Sequence, residues 1–245
     1  MLSKKKLKKL IKKSLPKRNT HALTDSHGLV FNNFKSNFFH QFNTCIIQGA
    51  TVSGITNPNS QTQAYPRFKK YIENSVSKGD YIIVELGEVD CGFVLWYKAQ
   101  NNKQKIENLL NITLDKYTEF LKLIIKKQKK PKRLFVLSTI PPTIKDNQTW
   151  GEVANLRKTI KATQKQRTEL TLNFNKELQK VVKRFGATFI DLDNDLIDSK
   201  TRLVKDYYLN DNPLDHHLSQ TKLSNLIMIK LKNEGLKYKS KITNE

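Results

Sequence analysis

The stretch Tyr81-Ile82-Ile83-Val84-Glu85-Leu86, closed by Gly87-Glu88-Val89-Asp90-Cys91-Gly92, decides the fold. A strand with one wet face alternates apolar and polar residues. A continuous apolar run bounded by turn residues is what a strand buried on both faces of a parallel sheet requires. Arg133-Leu134-Phe135-Val136-Leu137-Ser138 reads the same way. Shorter apolar runs at 21–24, 43–48 and 187–192 add three more strands.

Helical patterns fill the intervals. Ile106, Leu109, Leu110, Leu114, Tyr117, Leu121 and Ile124 recur at helical spacing, as do Leu170, Phe174, Leu178 and Val181 ahead of Gly186. A last helix begins near Ser219 and carries Leu223, Leu226 and Ile227. Five strands with helices between them predict one open, doubly wound α/β domain. The segment 140–165, opening on Pro141-Pro142, is polar and reads as a long loop over one end of the sheet.

In such sheets, ligands sit outside the carboxyl ends of the strands. The first strand is followed by Thr24-Asp25-Ser26-His27-Gly28. A serine there stands near a helix N-terminus, which favours developing negative charge. Taken alone, Asp25 and Ser26 would read as a helix cap. The second strand is followed by Gly49-Ala50-Thr51-Val52-Ser53-Gly54, where glycine lets the backbone approach a ligand and offer its N–H. The third ends in the turn that carries Glu88 and Asp90, and buried carboxylates need specific partners. Before the last helix comes Asp215-His216-His217-Leu218-Ser219. A histidine beside a carboxylate is the general-base arrangement. Two His and one Asp on a short loop make a poor closed metal site. No GxSxG elbow, GxxxxGK[ST] loop or GxGxxG turn occurs, so neither the α/β-hydrolase fold proper nor a nucleotide cofactor has support.

The ordered set resembles the SGNH/GDSL hydrolases over residues 20–235. The resemblance implies a three-layer αβα sandwich with a flavodoxin-like parallel sheet of about five strands. It implies Ser26 as nucleophile, with Thr24 where the family has Gly. Gly49 takes the oxyanion-donor position, with Gly54 as a second candidate. Val89 stands where the family places a donor Asn. Glu88 or Asp90 would then replace that Asn by positioning a donor or a substrate hydroxyl. Asp25 and His27, flanking the serine, are candidate substrate contacts. His217 fits the base position best, with His216 as the alternative. Leu214 occupies the usual Asp position, so either Asp215 orients the histidine from another offset or the site is a Ser–His dyad. The strings GEVDCGFVLWYKA, QRTELTLNFN and DHHL resemble a subgroup associated with bacterial polysaccharide gene clusters. That implies an acyl ester as substrate, such as an O-acetyl group on a sugar or glycan, with no cofactor and no metal. The alternatives are a catalytically weak SGNH-like domain that binds a glycan or protein, and a basic protein of nucleic acid or the membrane surface.

Charge bears on that last alternative. The chain has 245 residues and a formal net charge of +22. Residues 1–18 hold nine of the positive charges and no negative one. The rest of the excess is mostly Lys, with seven Arg in the chain, whereas base and phosphate recognition leans on the planar Arg fork. This argues against nucleic acid. Leu2, Leu7, Leu10, Ile11 and Leu15 recur at helical spacing in the tail, which predicts either an amphipathic helix on an anionic membrane surface or a solvated tail. The domains are then a basic tail, 1–18, and a hydrolase-like domain, 19–245. No apolar run reaches membrane-spanning length, and no apolar segment of a secretory signal follows the basic stretch. Cys45 and Cys91 lack CxxC spacing and read as reduced thiols. The expected location is cytoplasmic, or peripheral at the membrane.

Overall fold

The computed structural model describes residues 18–36, 40–55, 57, 60–147 and 157–241. The basic tail therefore lies outside the described residues, apart from Arg18, which opens the first strand. Five strands form one parallel sheet: β1 (Arg18–Thr24), β3 (His40–Ile46), β4 (Tyr81–Glu85), β5 (Leu134–Leu137) and β6 (Thr188–Ile190). Their spatial order is β3-β1-β4-β5-β6. A separate antiparallel ribbon pairs β2 (Phe34–Lys35) with β7 (Lys239–Ser240).

Side-chain alternation along the central strands builds three layers. Leu23, Ile82, Val84, Leu134 and Val136 face one way. They pack against Phe68 and Ile72 of α1 (Ala64–Ser75), Tyr117 and Leu121 of α3 (Ile106–Gln128), and Phe174 and Leu178 of α4 (Gln164–Arg184). Between α1 and α3 lies the short α2 (Leu95–Asn102). Ala22, Ile83, Phe135, Leu137 and Ile190 face the other way. They meet Phe31 of a 3-10 segment (Ser26–Asn33) and Leu223, Ile227 and Leu231 of α6 (Gln220–Asn233). A single turn, α5 (Asp193–Leu196), follows β6. Both faces of the sheet are covered, which is why its strands read as continuous apolar runs.

The ends of the elements have local causes. Thr163 and Gln166 form a capping box at the start of α4, satisfying two N–H groups that the helix itself cannot. Before α6, the Leu209–Leu218 bridge and the Ser219 N–H bond to the Tyr208 carbonyl close the loop that carries the two histidines. The order β3-β1-β4-β5-β6 reverses direction at β1, so the crevice lies between the ends of β1 and β4. Ser26 follows one of these ends and Gly87 the other.

Candidate active site

At the end of β1 the chain turns at once into the 3-10 segment, with Asp25 as its cap. Asp25 Oδ1 accepts the His27 backbone N–H at 2.8 Å and faces His27 Nδ1 at 3.2 Å. Ser26 is thereby fixed as the first residue of the segment, half-buried. Gly28 makes the turn sterically feasible. A Cβ there would lie 1.7 Å from Thr24 Oγ1 and 2.5 Å from its Cβ.

The histidine loop supplies the partner. His217 directs Nδ1 at Asp215 Oδ1, 2.7 Å away, and its backbone N–H donates to the same oxygen at 2.9 Å. Asn210 holds the other Asp215 oxygen at 2.9 Å. Asp215 thus holds the His217 ring and backbone together from one side, whereas Leu214 carries no polar side chain. His217 Nε2 is buried and has no hydrogen-bond partner. His217, Ser26 and His27 line one small pocket with Leu218 and Leu223. The His27 and His217 ring centroids are 4.9 Å apart, and His216 lies 4.1 Å from His217. Three of the chain's five histidines therefore meet around Ser26.

Their environments differ. Burial works against charge on His27, but the Asp25 hydrogen bond and charge, with Glu88 and Glu85 nearby, outweigh it and raise the imidazole to about 9. His216 is driven the other way, to about 4, by burial first and then by the neighbouring His217. His216 is therefore neutral at neutral pH, with its backbone carbonyl bonded by Thr143 Oγ1.

The two acids after β4 do not reach out to solvent. Glu88 is clamped by Arg157, whose NH1 and NH2 donate to its two oxygens at 2.8 Å each. Both side chains are buried. Burial would raise the Glu88 carboxyl, but the Arg157 guanidinium holds it at about 2. A Cβ at Gly92 would approach Glu88 Oε1 to 2.8 Å, so glycine leaves room for the pair. Asp90 accepts the Val52 N–H at 2.6 Å and the Ser53 N–H at 3.0 Å. It ties the loop after β3 to the end of β4. Asp90 thus holds two protein N–H donors. Gly54 lies in that tethered loop, where its N–H meets Thr51 Oγ1 at 3.0 Å. Gly49 is an exposed turn residue with a φ of +69°, a conformation that favours glycine. Val89, at the expected Asn position, is half-buried and has no side-chain donor.

Three residues escaped the sequence reading. Arg157 lies in the polar segment and carries no motif, and Arg167 lies just after it, inside the string QRTELTLNFN but with no role assigned to it. Glu85 was in plain view, a carboxylate inside a strand buried on both faces. Both of its oxygens are buried. Burial, and then the charge of Asp25, push its carboxyl well above the ordinary range. Among the described residues, Asp215, His216 and His217 could each offer a metal one ligand atom, all within 4.8 Å of one another. Asp215 Oδ1 already faces His217 Nδ1, and the set lies on one loop. It is a weaker fit to a closed metal site than to a general base held by its carboxylate.

No family model matches the chain, and neither does any curated protein. Solved structures do. A GDSL-like lipase from Bacteroides thetaiotaomicron superposes with a TM-score of 0.53 at 12% identity, covering 95% of this chain and 98% of that one. A mutant acetyl-xylooligosaccharide esterase from Geobacillus stearmophilus gives 0.51 at 9% identity, covering 95% and 100%. An extracellular lipase from Streptomyces rimosus gives 0.50 at 13%, covering 89% and 99%. At these identities the likeness speaks for architecture, and function rests on the site. The five-stranded parallel sheet between two helical layers is the fold of the GDSL/SGNH hydrolases.

Proposed function

We propose that this protein is a serine ester hydrolase of the SGNH type, with Ser26 as nucleophile, His217 as base and Asp215 orienting the base. One observation carries the reading. Asp215 holds His217 by Nδ1, which leaves Nε2 buried and unpartnered on a residue that lines the same small pocket as Ser26. A neutral imidazole donating through Nδ1 presents a lone pair at Nε2, the form a general base needs.

In the proposed reaction His217 Nε2 takes the hydroxyl proton as Ser26 Oγ bonds to the ester carbonyl carbon. The oxyanion meets the backbone N–H groups of Ser26 and Gly49. The carbonyl–alkoxide bond then breaks, and His217 returns the proton to the departing alcohol. Water, activated by the same imidazole, releases the acyl group from Ser26. The substrate we favour is an acyl ester of a sugar or glycan, with O-acetyl as the acyl group. The acetyl-xylooligosaccharide esterase among the similar structures supports that choice.

A second reading has its own support: a catalytically weak domain that binds a glycan. Val89 removes one expected oxyanion donor, a loss of about 2.7–4 kcal/mol of transition-state stabilisation where it has been tested. One experiment decides between them. A fluorophosphonate should label the protein at Ser26, and Ser26→Ala should abolish both labelling and turnover of a short-chain acyl ester. An unlabelled wild-type protein without turnover would favour the binding domain.

A further inference from the structure

The charge of the folded domain is sorted between the two ends of its sheet. The crevice lies at the carboxyl ends of the strands. Just past β6 at that end, residues 191–198 carry four Asp and no Lys or Arg. At the amino ends the sign reverses. Residues 126–133, from the last turn of α3 to the start of β5, read Lys-Lys-Gln-Lys-Lys-Pro-Lys-Arg, six cations and no acid. A lysine excess set by composition alone would not divide this way. Attraction to the negative end of α3 accounts for Lys126 and Lys127 in its last turn, but not for Lys130 and Lys132 beyond its cap. Lys126, Lys129, Lys130 and Lys132 are exposed and form no ion pair among the described residues.

The basic segment is held in place from behind. Gly79 donates its N–H to the Gln128 carbonyl at 2.8 Å, and the buried Gln128 side chain donates to the Asp80 carbonyl at 2.7 Å. Lys127 Nζ reaches the Glu73 carbonyl at 2.7 Å. These bonds set the end of α3 beside the end of α1, with a groove of about 600 Å³ between them. Ile72, Val76 and Leu123 give it an apolar floor, Lys78, Lys126 and Lys129 stand at its rim, and Glu73 is its single acid. Asp80 nearby is buried and engaged by His21 Nε2 at 3.2 Å and the Ser77 N–H at 2.7 Å. Strand β1 begins at this same end, since its Thr20 lies beside Tyr81, the first residue of β4. The nine positive charges of residues 1–18 therefore join the domain here.

We propose that this end of the sheet docks on an anionic phospholipid surface, seated by the lysines of the 126–132 segment and Lys78, with the Ser26 crevice directed away from the lipid. Lysine is a compact point charge on a flexible stem, suited to the diffuse potential of such a surface. A cationic rim over an apolar floor matches the boundary between headgroups and acyl chains. Nucleic acid fits less well, because its recognition leans on the arginine fork. The one arginine of the segment, Arg133, is turned inward: its NH1 donates to the Gly79 carbonyl and its guanidinium lies over the Tyr81 ring, 4.9 Å from the centroid.

Cosedimentation of the full chain with vesicles measures the docking. The wild type should bind vesicles of phosphatidylcholine and phosphatidylserine, ignore phosphatidylcholine alone, and release as salt is raised. Lys126→Gln/Lys130→Gln/Lys132→Gln alters three exposed side chains and should keep the wild-type melting temperature. Each lysine at an anionic surface is worth about fivefold in affinity, so this variant should bind at least about tenfold more weakly. Lys103→Gln/Lys105→Gln/Lys165→Gln removes the same charge from exposed positions at the crevice end and should bind as the wild type does. Equal weakening of the two variants would show that net charge alone is read and would overturn the inference. Undiminished binding of the first variant would overturn it too, by leaving the tail as the whole anchor. So would retention by a DNA duplex without binding to either vesicle, which would assign the face to nucleic acid. Ser26→Ala should bind vesicles like the wild type, so the docking face and the hydrolase reading stand or fall separately.

Discussion

Asp215 Oδ1 accepts two hydrogen bonds from His217, one from the ring Nδ1 and one from the backbone N–H. This double hold fixes both the ring's orientation and its tautomer. Asp215→Asn keeps the shape but offers the ring an amide, which can turn its own donor toward Nδ1 and move the imidazole proton to Nε2. Wrong-tautomer changes of this kind lower kcat about 10⁴-fold in serine-protease triads. A fall of about 10²–10⁴-fold with little change in KM is expected for Asp215→Asn. Near-full activity would mean that the site works as a Ser–His dyad.

The Glu88–Arg157 pair predicts a reversal of pH dependence. With Arg157 present, the folded carboxyl sits at about 2 against an ordinary 4.5. Its contribution to stability is therefore complete above about 4.5 and is lost as pH falls toward 2. Arg157→Met leaves Glu88 buried without its partner, a change that costs about 3–5 kcal/mol. Its folded pKa should then lie above 4.5, so the variant should gain stability on acidification where the wild type loses it. Urea titrations at pH 4 and pH 7 measure both signs. Arg157→Met/Glu88→Gln should recover much of the loss, because no buried charge remains. A variant as stable as wild type at pH 7 would show that the pair does not hold the fold.

How much of this was legible follows from which contacts are local. The central strands could be read because burial on both faces writes itself into consecutive residues. The Asp215–His217 contact spans two residues, and the pairing of a carboxylate with an adjacent histidine showed in the sequence. Arg157 meets Glu88 across 69 residues, and nothing in a polar stretch marks one arginine as buried. Asp90 looked like a site residue because the donors it accepts from, the Val52 and Ser53 N–H groups, belong to a different loop. Helix α1 was missed because its buried residues, Ala64, Phe68 and Ile72, form a narrow stripe among charged neighbours.

Glu85 and His27 both predict weakening toward alkaline pH, through opposite charges. A carboxyl raised well above 4.5 in the folded chain stays neutral there while the unfolded chain ionises, so stability is lost as pH rises above 4.5. Glu85→Gln has the same shape and cannot ionise. It should match the wild type near pH 4 and exceed it in melting temperature at pH 8. His27, raised from 6.5 to about 9, contributes stability that is full below 6.5 and is lost as pH rises through 9, roughly 3 kcal/mol in all. His27→Gln should therefore flatten the stability curve between pH 6.5 and 9. A Glu85→Gln protein less stable than wild type at pH 8 would mean that the carboxylate is ionised and held by a partner.

The turn that carries Ser26 rests on an exchange between Thr24 and Gly28. The resemblance places a glycine at 24, and this chain has threonine there, with glycine four residues on. A methyl at 28 would overlap Thr24 Oγ1 at 1.7 Å and its Cβ at 2.5 Å. Thr24 is fully buried in the last position of β1, so it has nowhere to swing. Gly28→Ala should therefore cost at least about 3 kcal/mol, the upper end of ordinary overpacking, and displace Ser26 with the turn. Thr24→Ala would not relieve the clash, because its Cβ remains. Thr24→Gly/Gly28→Ala removes the three atoms nearest that methyl, at a penalty of about 0.5–1 kcal/mol for glycine in a strand relative to alanine. The double variant should be more stable than Gly28→Ala alone and should regain fluorophosphonate labelling at Ser26. Additive losses in the two single variants, with no rescue in the double, would show that the two side chains do not compete for the same space.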